Sequence, residues 1–365
     1  MNSQKRVYVD VHVIQTVPPS CVNRDDTGSP KTAVYGGIQR ARVSSQSWKR
    51  AMRQMFYDCF DESELGVRTK DIVSLVAAEI KKLDATKDEA VATELAVKVL
   101  ELTGIKLDKD KKTGKYAAKA LFFMGAKQAE NLAKLILNNQ NAAKKDAQEM
   151  LRKNQAVDIA LFGRMVADDP SLNEDACAQV AHSISTHSVE NEYDYFTAVD
   201  EMIAEDHAGA GMIGVVEYNS ATLYRFATVA AHELYRALNK DEFITTKAIH
   251  EFVRSFVLSM PTGKQNTFAN RTLPNAILVT VRKDQPINLA GAFEKPVPNN
   301  GKGFVEESVQ RLKEYATAVC SSFAPSPVKS WEIGLSSSAD KKHINLDELL
   351  GEMDSMISCL ITENK

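Results

Sequence analysis

The residues with the greatest chemical capacity lie between Asn23 and Arg53. Seven basic side chains (Arg24, Lys31, Arg40, Arg42, Lys49, Arg50 and Arg53) are set there against two carboxylates, Asp25 and Asp26. This is a local balance of +5 in a chain whose overall balance is −3. Gly36, Gly37, Ser44 and Gln46 are interleaved with them, and such residues bring backbone N–H groups and small donors close to a ligand. Donors spread over so many positions suit a run of phosphates better than a single small molecule. Asp25 and Asp26 have a second chemistry open to them, as metal-binding carboxylates or a general base. Adjacent acids more often close a turn or pair with a neighbour such as Arg24. No other acidic cluster has ligand-like spacing.

The remaining candidates are weaker. His182 and His187, near Asp194, are five residues apart, which does not match the i, i+4 of a helical metal pair, so they read as structural or surface histidines. The stretch GAGMIG (Gly209–Gly214) lacks the strand before and helix after that a dinucleotide loop needs, and reads as a flexible tip. Met165 ends a predicted strand and by pattern alone fills core. Tyr195 and Phe196 suit either internal packing or wedging between bases.

These residues need elements to hold them. Val7, Val9, Val11 and Val13 alternate with other residues as in a half-buried strand. The Pro-, Gly- and Asn-rich residues up to Arg42 predict a long ordered loop, and such loops are usually functional. A helix is predicted from Ser44–Ser47, capped by serine, with an apolar stripe of Trp48, Met52, Met55, Phe56, Cys59 and Phe60. Gln46, Lys49 and Arg53 fall on a different face. Lys49 and Arg50 occupy its first turn, where the helix dipole favours anions, and a phosphate there would satisfy the free N–H groups and the cations together. Taken alone the run is a solvated helix face; the adjoining GGIQRARVSSQS turns the balance towards a binding face.

From Asp71 to Lys153 the composition of Ala, Lys, Glu and Leu predicts a helical insertion. Its Lys106–Lys119 stretch, with six lysines, predicts a mobile connection, and the helical pattern resumes over Phe122–Arg152. Val157–Met165 predicts a strand, and Ser171 or Asn173 to Ile184 a capped helix. Tyr193–Phe226 predicts a protruding arm that includes a strand over Tyr218–Val229. Helices over Ala231–Leu238 and Lys247–Met260, a strand over Ala276–Val281 and an acidic amphipathic segment at Leu346–Ile361 complete an alternating pattern with antiparallel options.

With 365 residues, 44% hydrophobic and 25% charged, the chain has the composition of a soluble globular protein of one or two domains. No apolar stretch approaches a membrane span, and MNSQKRVYVD lacks a signal peptide's apolar core, so the expected location is cytoplasmic. The five scattered cysteines predict free buried thiols in a reducing compartment. The overall negative balance excludes a uniformly basic coat, so any nucleic-acid surface must be local.

The motifs PSCVNRDD and AVYGGIQRARVSSQSWKRAMR resemble those of the CasC-type backbone subunit of the type I-E CRISPR Cascade complex. Further similar stretches follow in order: VDIALFGRM, AHSISTHSV, DYFTAVDEM, LYRFA, PTGKQNTFA and LAGAFEKPV. The resemblance covers nearly the whole chain. It implies an α+β protein whose modified RRM-like (ferredoxin-like) palm, residues 1–70 and 155–365, carries a helical fingers insertion, 71–154, and a protruding thumb hairpin, 193–224. It implies a non-catalytic subunit, without cofactor or metal, that polymerises along a CRISPR RNA and presents the guide in segments to target DNA. The implied partners are that RNA, target DNA through the guide, neighbouring copies and other Cascade subunits. Matched by motif, Arg24, Lys31, Ser44, Gln46, Lys49 and Arg53 are the expected RNA contacts, and Met165 packs against a displaced base; Arg40 and Arg42 belong to the same basic block. Two departures stand out. NNQNAAKKDAQ keeps only Lys144 and Lys145 together where relatives have a lysine-rich finger helix. The palm also lacks the aromatic consensus of ordinary RRMs, which favours a grip on phosphates over base stacking. The rival reading is a metal-dependent endoribonuclease acting through Asp25 or Asp26, as in related type III backbone subunits; a lone single-stranded RNA chaperone is a third.

Overall fold

The structure is a computed structural model that describes residues 6–166, 169–199, 210–334 and 344–363. In chain order, β1 (Tyr8–Ser20) leads through a loop into the hairpin of β2 (Thr32–Tyr35) and β3 (Ile38–Val43), then α1 (Ser45–Phe56) and β4 (Gly66–Thr69). Next come α2 (Ile72–Leu83), α3 (Glu89–Thr103), β5 (Leu107–Lys109), β6 (Tyr116–Ala118), β7 (Phe122–Gly125), α4 (Ala126–Asn138) and α5 (Lys144–Arg152). The chain returns through α6 (Val157–Phe162), β8 (Ala178–Val180) and β9 (Ser183–Ser185) to the paired β10 (Glu192–Val199) and β11 (Ala210–Ala230). It closes with α7 (Ala231–Ala237), α8 (Glu242–Leu258), α9 (Gln265–Phe268), β12 (Ala276–Arg282), α10 (Val305–Ser322), β13 (Lys329–Ile333) and α11 (Leu346–Thr362).

Among the described residues nine strands form one sheet, ordered β13-β12-β1-β11-β9-β3-β2, with β8 and β10 also paired to β11. All its pairings are antiparallel. The fold is therefore α+β with an antiparallel sheet. The alternating valines of β1 do point to one face, but that strand is buried on both. Val9, Val11 and Val13 pack against α1, α8 and α11, while Ile14 joins Phe226, Leu278, Phe293 and Leu312 beneath α10. A separate apolar cluster unites α2, α3, α4 and α5, from Ile72 to Leu151, with Leu172. Among the described residues no helix is long and apolar enough to cross a membrane.

Several local expectations are corrected. Val157–Phe162 is a helix, not a strand: its run is buried on every side, and such a run carries no period that separates the two. The helix expected from Ser171 or Asn173 is a single 3₁₀ turn, Pro170–Leu172, followed by β8 and β9, because pairing with β11 takes up these residues. Lys106–Lys119 is a hairpin of β5 and β6, closed by the Asp110 carboxylate accepting from the N–H groups of Lys112 and Thr113 at 2.8 Å. Phe122–Gly125 pairs with β4 before the helical pattern resumes. α8 starts five residues early, where Asp241 accepts from the Ile244 N–H at 3.0 Å. Residues Ala210–Gly214 lie within β11, and Gly209 is outside the described residues. Only Cys21 of the five free thiols is buried; Cys359 is exposed.

The centre of the sheet holds a buried arginine with no acidic partner among the described residues. Arg225, on β11, lies between the rings of Trp48 (3.7 Å to the ring centre) and Phe256 (4.6 Å). It donates to Gln15 Oε1 at 2.5 Å and to the Phe256 carbonyl. Burial pulls its pKa down to about 9, so the stacking and the hydrogen bonds are what keep a cation there.

Asp10, also buried on β1, accepts from the Ile287 N–H at 2.9 Å through Oδ2, while Oδ1 has no hydrogen-bond partner among the described residues. Burial pushes its pKa from 3.8 up to about 6. The folded protein then holds this proton more tightly than the unfolded chain, so stability falls as pH rises between those two values. Asp10→Asn is expected to remove that slope and raise stability at pH 8 by about 2 kcal/mol, read by urea unfolding. A variant less stable than the parent at pH 8 contradicts this account.

Candidate nucleic-acid interface

The basic segment is shaped by α1 and the two stretches of chain before it. Trp48, Ala51, Met52 and Phe56 form the buried face of α1. Trp48 Nε1 donates to Ser183 Oγ at 3.0 Å, and its ring stacks on Arg225, which fixes the helix against β9 and β11. Ser44 stands at the N-cap position, yet its hydroxyl makes no capping bond and lies 3.2 Å from Ser47 Oγ. Asn23 Oδ1 instead accepts from the Ser44 N–H at 2.9 Å, tying the preceding loop to the helix start. The first turn has no acidic residue; the Ser47 N–H donates to the Ser44 carbonyl at 3.0 Å, which leaves the N–H groups of Ser45 and Gln46 without an acceptor among the described residues.

Asp25 is occupied in shaping that loop. Its Oδ1 accepts from Thr27 N (2.9 Å), Thr27 Oγ1 (2.7 Å) and Ser29 N (3.0 Å), and the bond to Thr27's hydroxyl leads in lowering its pKa. Arg24 pairs with Pro30 through the backbone, and Lys31 donates its N–H to the Asn23 carbonyl. These bonds close the loop on itself and leave the side chain of Arg24 exposed and that of Lys31 half-exposed. The rest of the expected loop is a β-hairpin. Gly36 and Gly37 form its turn, with φ of +61° and +79°, the pair of signs that two-residue hairpin turns require. A Cβ at Gly36 would sit 1.8 Å from the Glu294 carbonyl oxygen, so this glycine serves packing and is not a ligand cradle.

The basic residues separate into two groups. Arg40 is 0% exposed and donates to the carbonyls of Tyr35, Ser185, Phe293 and Glu294 at 2.9–3.2 Å. It braces the hairpin, and its guanidinium is taken up by these carbonyls inside the fold. Arg53 bonds Asp158 Oδ2 at 3.0 Å and the Gly66 carbonyl at 3.2 Å, with its guanidinium 4.4 Å from the Phe123 ring centre. It braces α1 to α6. Arg42 is half-buried against the Thr32 carbonyl and His182 Nδ1. Lys49 is half-buried over Phe162, and burial first, then the Arg68 charge, lowers its pKa. Gln46 is exposed, and Met165 is 85% exposed, so Met165 does not fill core. His187 is a core residue stacked on Phe304, its Nε2 accepting from the Thr222 N–H.

A second polar stripe of α1 was missed from the sequence. Ser47, Arg50 and Gln54 face a cleft of about 730 Å³ between loop 22–28 and Pro261–Lys264. The signal was present in the three- and four-residue spacing, but Arg50 alone did not distinguish it. Beyond the cleft, β10 and β11 form an arm with exposed Tyr193, Tyr195, Met212 and Ile213, while Phe196 packs over Gly214. From Asn219 onward β11 pairs with β1 in the central sheet.

A family profile described as CT1975-like protein matches residues 9–358. A chain of a structure titled "CRISPR RNA-guided surveillance complex, pre-nicking" is 31% identical, with a TM-score of 0.82 over 96% of this chain and 100% of that one. A chain of another "CRISPR RNA-guided surveillance complex" is 28% identical, with a TM-score of 0.72 over 96% and 99%. No curated protein matches the chain.

The bracing role of Arg53 has a direct consequence. Asp158 is 2% exposed, and burial raises its pKa despite the Arg53 charge, so loss of the guanidinium leaves an uncompensated buried carboxylate. Arg53→Ala is expected to lower stability by about 3 kcal/mol. Arg53→Met combined with Asp158→Leu should recover most of that loss in thermal unfolding; a double variant no better than Arg53→Ala would place the cost elsewhere.

Proposed function

The chain belongs to the CT1975-like family, and on that premise we propose that it is a non-catalytic, RNA-binding backbone subunit of a CRISPR surveillance complex. The observation that carries this reading is the near end-to-end superposition on a chain of such a complex at 31% identity. The open first turn of α1 beside an ordered, basic loop supports it. Arg24, Lys31, Arg42, Ser44, Gln46 and Lys49 are the proposed contacts to the RNA backbone, with Met165 against a base. Arg40 and Arg53 hold the surface that presents them.

Such a grip acts on phosphates and on shape, so it is indifferent to the sequence of the guide. Recognition of a target is then left to base pairing by the RNA, as a protein serving many guides requires. We further read residues 71–154 as fingers and the β10–β11 arm as a thumb. Copies would stack along the guide and present it in segments to target DNA alongside other subunits of the complex. Asp25's commitment to Thr27 and Ser29 favours a loop-shaping role over catalysis.

Co-expression with a CRISPR array is expected to yield protein carrying RNA of uniform length; RNA of mixed length, or none, would contradict an ordered guide backbone. Lys49→Ala is expected to weaken binding of single-stranded RNA and to flatten the dependence of log K on log salt by about 0.7, the value for one lost phosphate contact. Unchanged affinity and slope would remove Lys49 from the interface.

A further inference from the structure

The cleft beneath the Ser47/Arg50/Gln54 stripe has a chemistry that the phosphate grip alone does not use. Its cations are Arg24, Arg50 and Lys264, and none of their side chains makes a hydrogen bond or ion pair with another described residue. Its walls are held close: a Cβ at Gly263 would lie 2.0 Å from the Val22 carbonyl oxygen. Lys264 has φ of +51° and Ala269 +47°, so the short α9 is bounded by two non-glycine residues in the left-handed region. Backbone strain of this kind persists where surrounding structure imposes it and concentrates at ligand sites. Phe268 meets Tyr218 at the base of the arm, with ring centres 5.8 Å apart.

The cleft also contains two carboxylates. Asp25 is satisfied by the loop, but Asp26 makes no hydrogen bond or ion pair with another described residue. A carboxylate is an acceptor only, and so is a phosphodiester, so Asp26 has nothing to offer a phosphate. Along a nucleic-acid backbone the one donor is the ribose 2′-hydroxyl, which RNA has and DNA lacks.

We propose that this cleft is a ribose-phosphate subsite that selects RNA over DNA, with Arg50 and Lys264 on a phosphate and Asp26 accepting from the 2′-hydroxyl of the attached ribose. The inference rests on the RNA-binding function proposed above and adds to it a means of telling the guide from DNA. Arg24, at the rim, belongs to both surfaces.

The test uses the full-length protein, with oligouridine and oligodeoxyuridine of equal length as probes. Arg50→Gln with Lys264→Gln is expected to weaken both probes and to reduce each salt slope by about 1.4, for two lost contacts on a single strand. Asp26→Ala is expected to narrow the RNA-to-DNA affinity ratio by about tenfold, the scale of one hydrogen bond to a charged group. These side chains have no partners among the described residues, so an unchanged melting temperature is expected in both variants. If Asp26→Ala strengthens both probes equally, the carboxylate acts by charge alone and the inference fails. It fails too if Mg²⁺-dependent cutting of oligouridine is found and is lost in Asp26→Ala. If the parent binds oligouridine and neither variant changes anything, the subsite is wrong while the RNA-binding reading stands. If the parent binds no RNA, that reading itself fails.

Discussion

The stacking of Trp48 on Arg225 is the contact on which the placement of α1 and its basic face depends. It joins the first long helix to the central strand of the sheet, and the same guanidinium reaches Gln15 on β1 and the end of α8. A buried arginine without a carboxylate is held by aromatic faces and neutral acceptors, which demand a fixed geometry where a counter-ion would tolerate movement. α1 is thereby set at one angle. Its buried face is anchored at the sheet, so its first turn and two polar stripes face outward in fixed directions.

Two further buried arginines use the same fork of donors, Arg40 on carbonyls alone and Arg164 with a carboxylate, Glu174, among its acceptors. Arg40 gathers four carbonyls from three stretches of chain, and Arg164 reaches the carbonyls of Phe123 and Leu172 and the side chains of Gln128 and Glu174. Each meets several acceptors with a planar fork of donors, which a lysine cannot do. The positive character of the segment 23–53 is therefore divided. Part of it builds a rigid frame from inside, and the remainder, on Arg24, Lys31, Arg42, Lys49 and Arg50, is displayed on that frame. A rigid display suits a polyanion with a regular backbone, since little ordering is needed on binding.

Much of this was legible in the chain, and the failures have physical causes. The alternation in β1, the stripe of α1 and the helical composition after Asp71 emerged because one face of each element is apolar. Val157–Phe162 misled because it is buried on all sides and has no period to read. The cap signal near Ser171 was overruled by pairing of the following residues with β11, a partner 38 to 51 residues away in sequence. Gly36 and Gly37 looked like a cradle for a ligand, yet they make a hairpin turn against the Glu294 carbonyl.

Residue types and their spacing by themselves located a local basic block, placed it at the start of α1, and carried the resemblance to a CRISPR backbone subunit. Charge and composition are properties of the chain and survive any fold. Which cations are free was decided only by tertiary structure, because that depends on acceptors brought from distant segments: Asp158 for Arg53, the carbonyls of Ser185 and Phe293 for Arg40. The same assembly placed Lys264 and Asp26, far apart in sequence, in one cleft with Arg50.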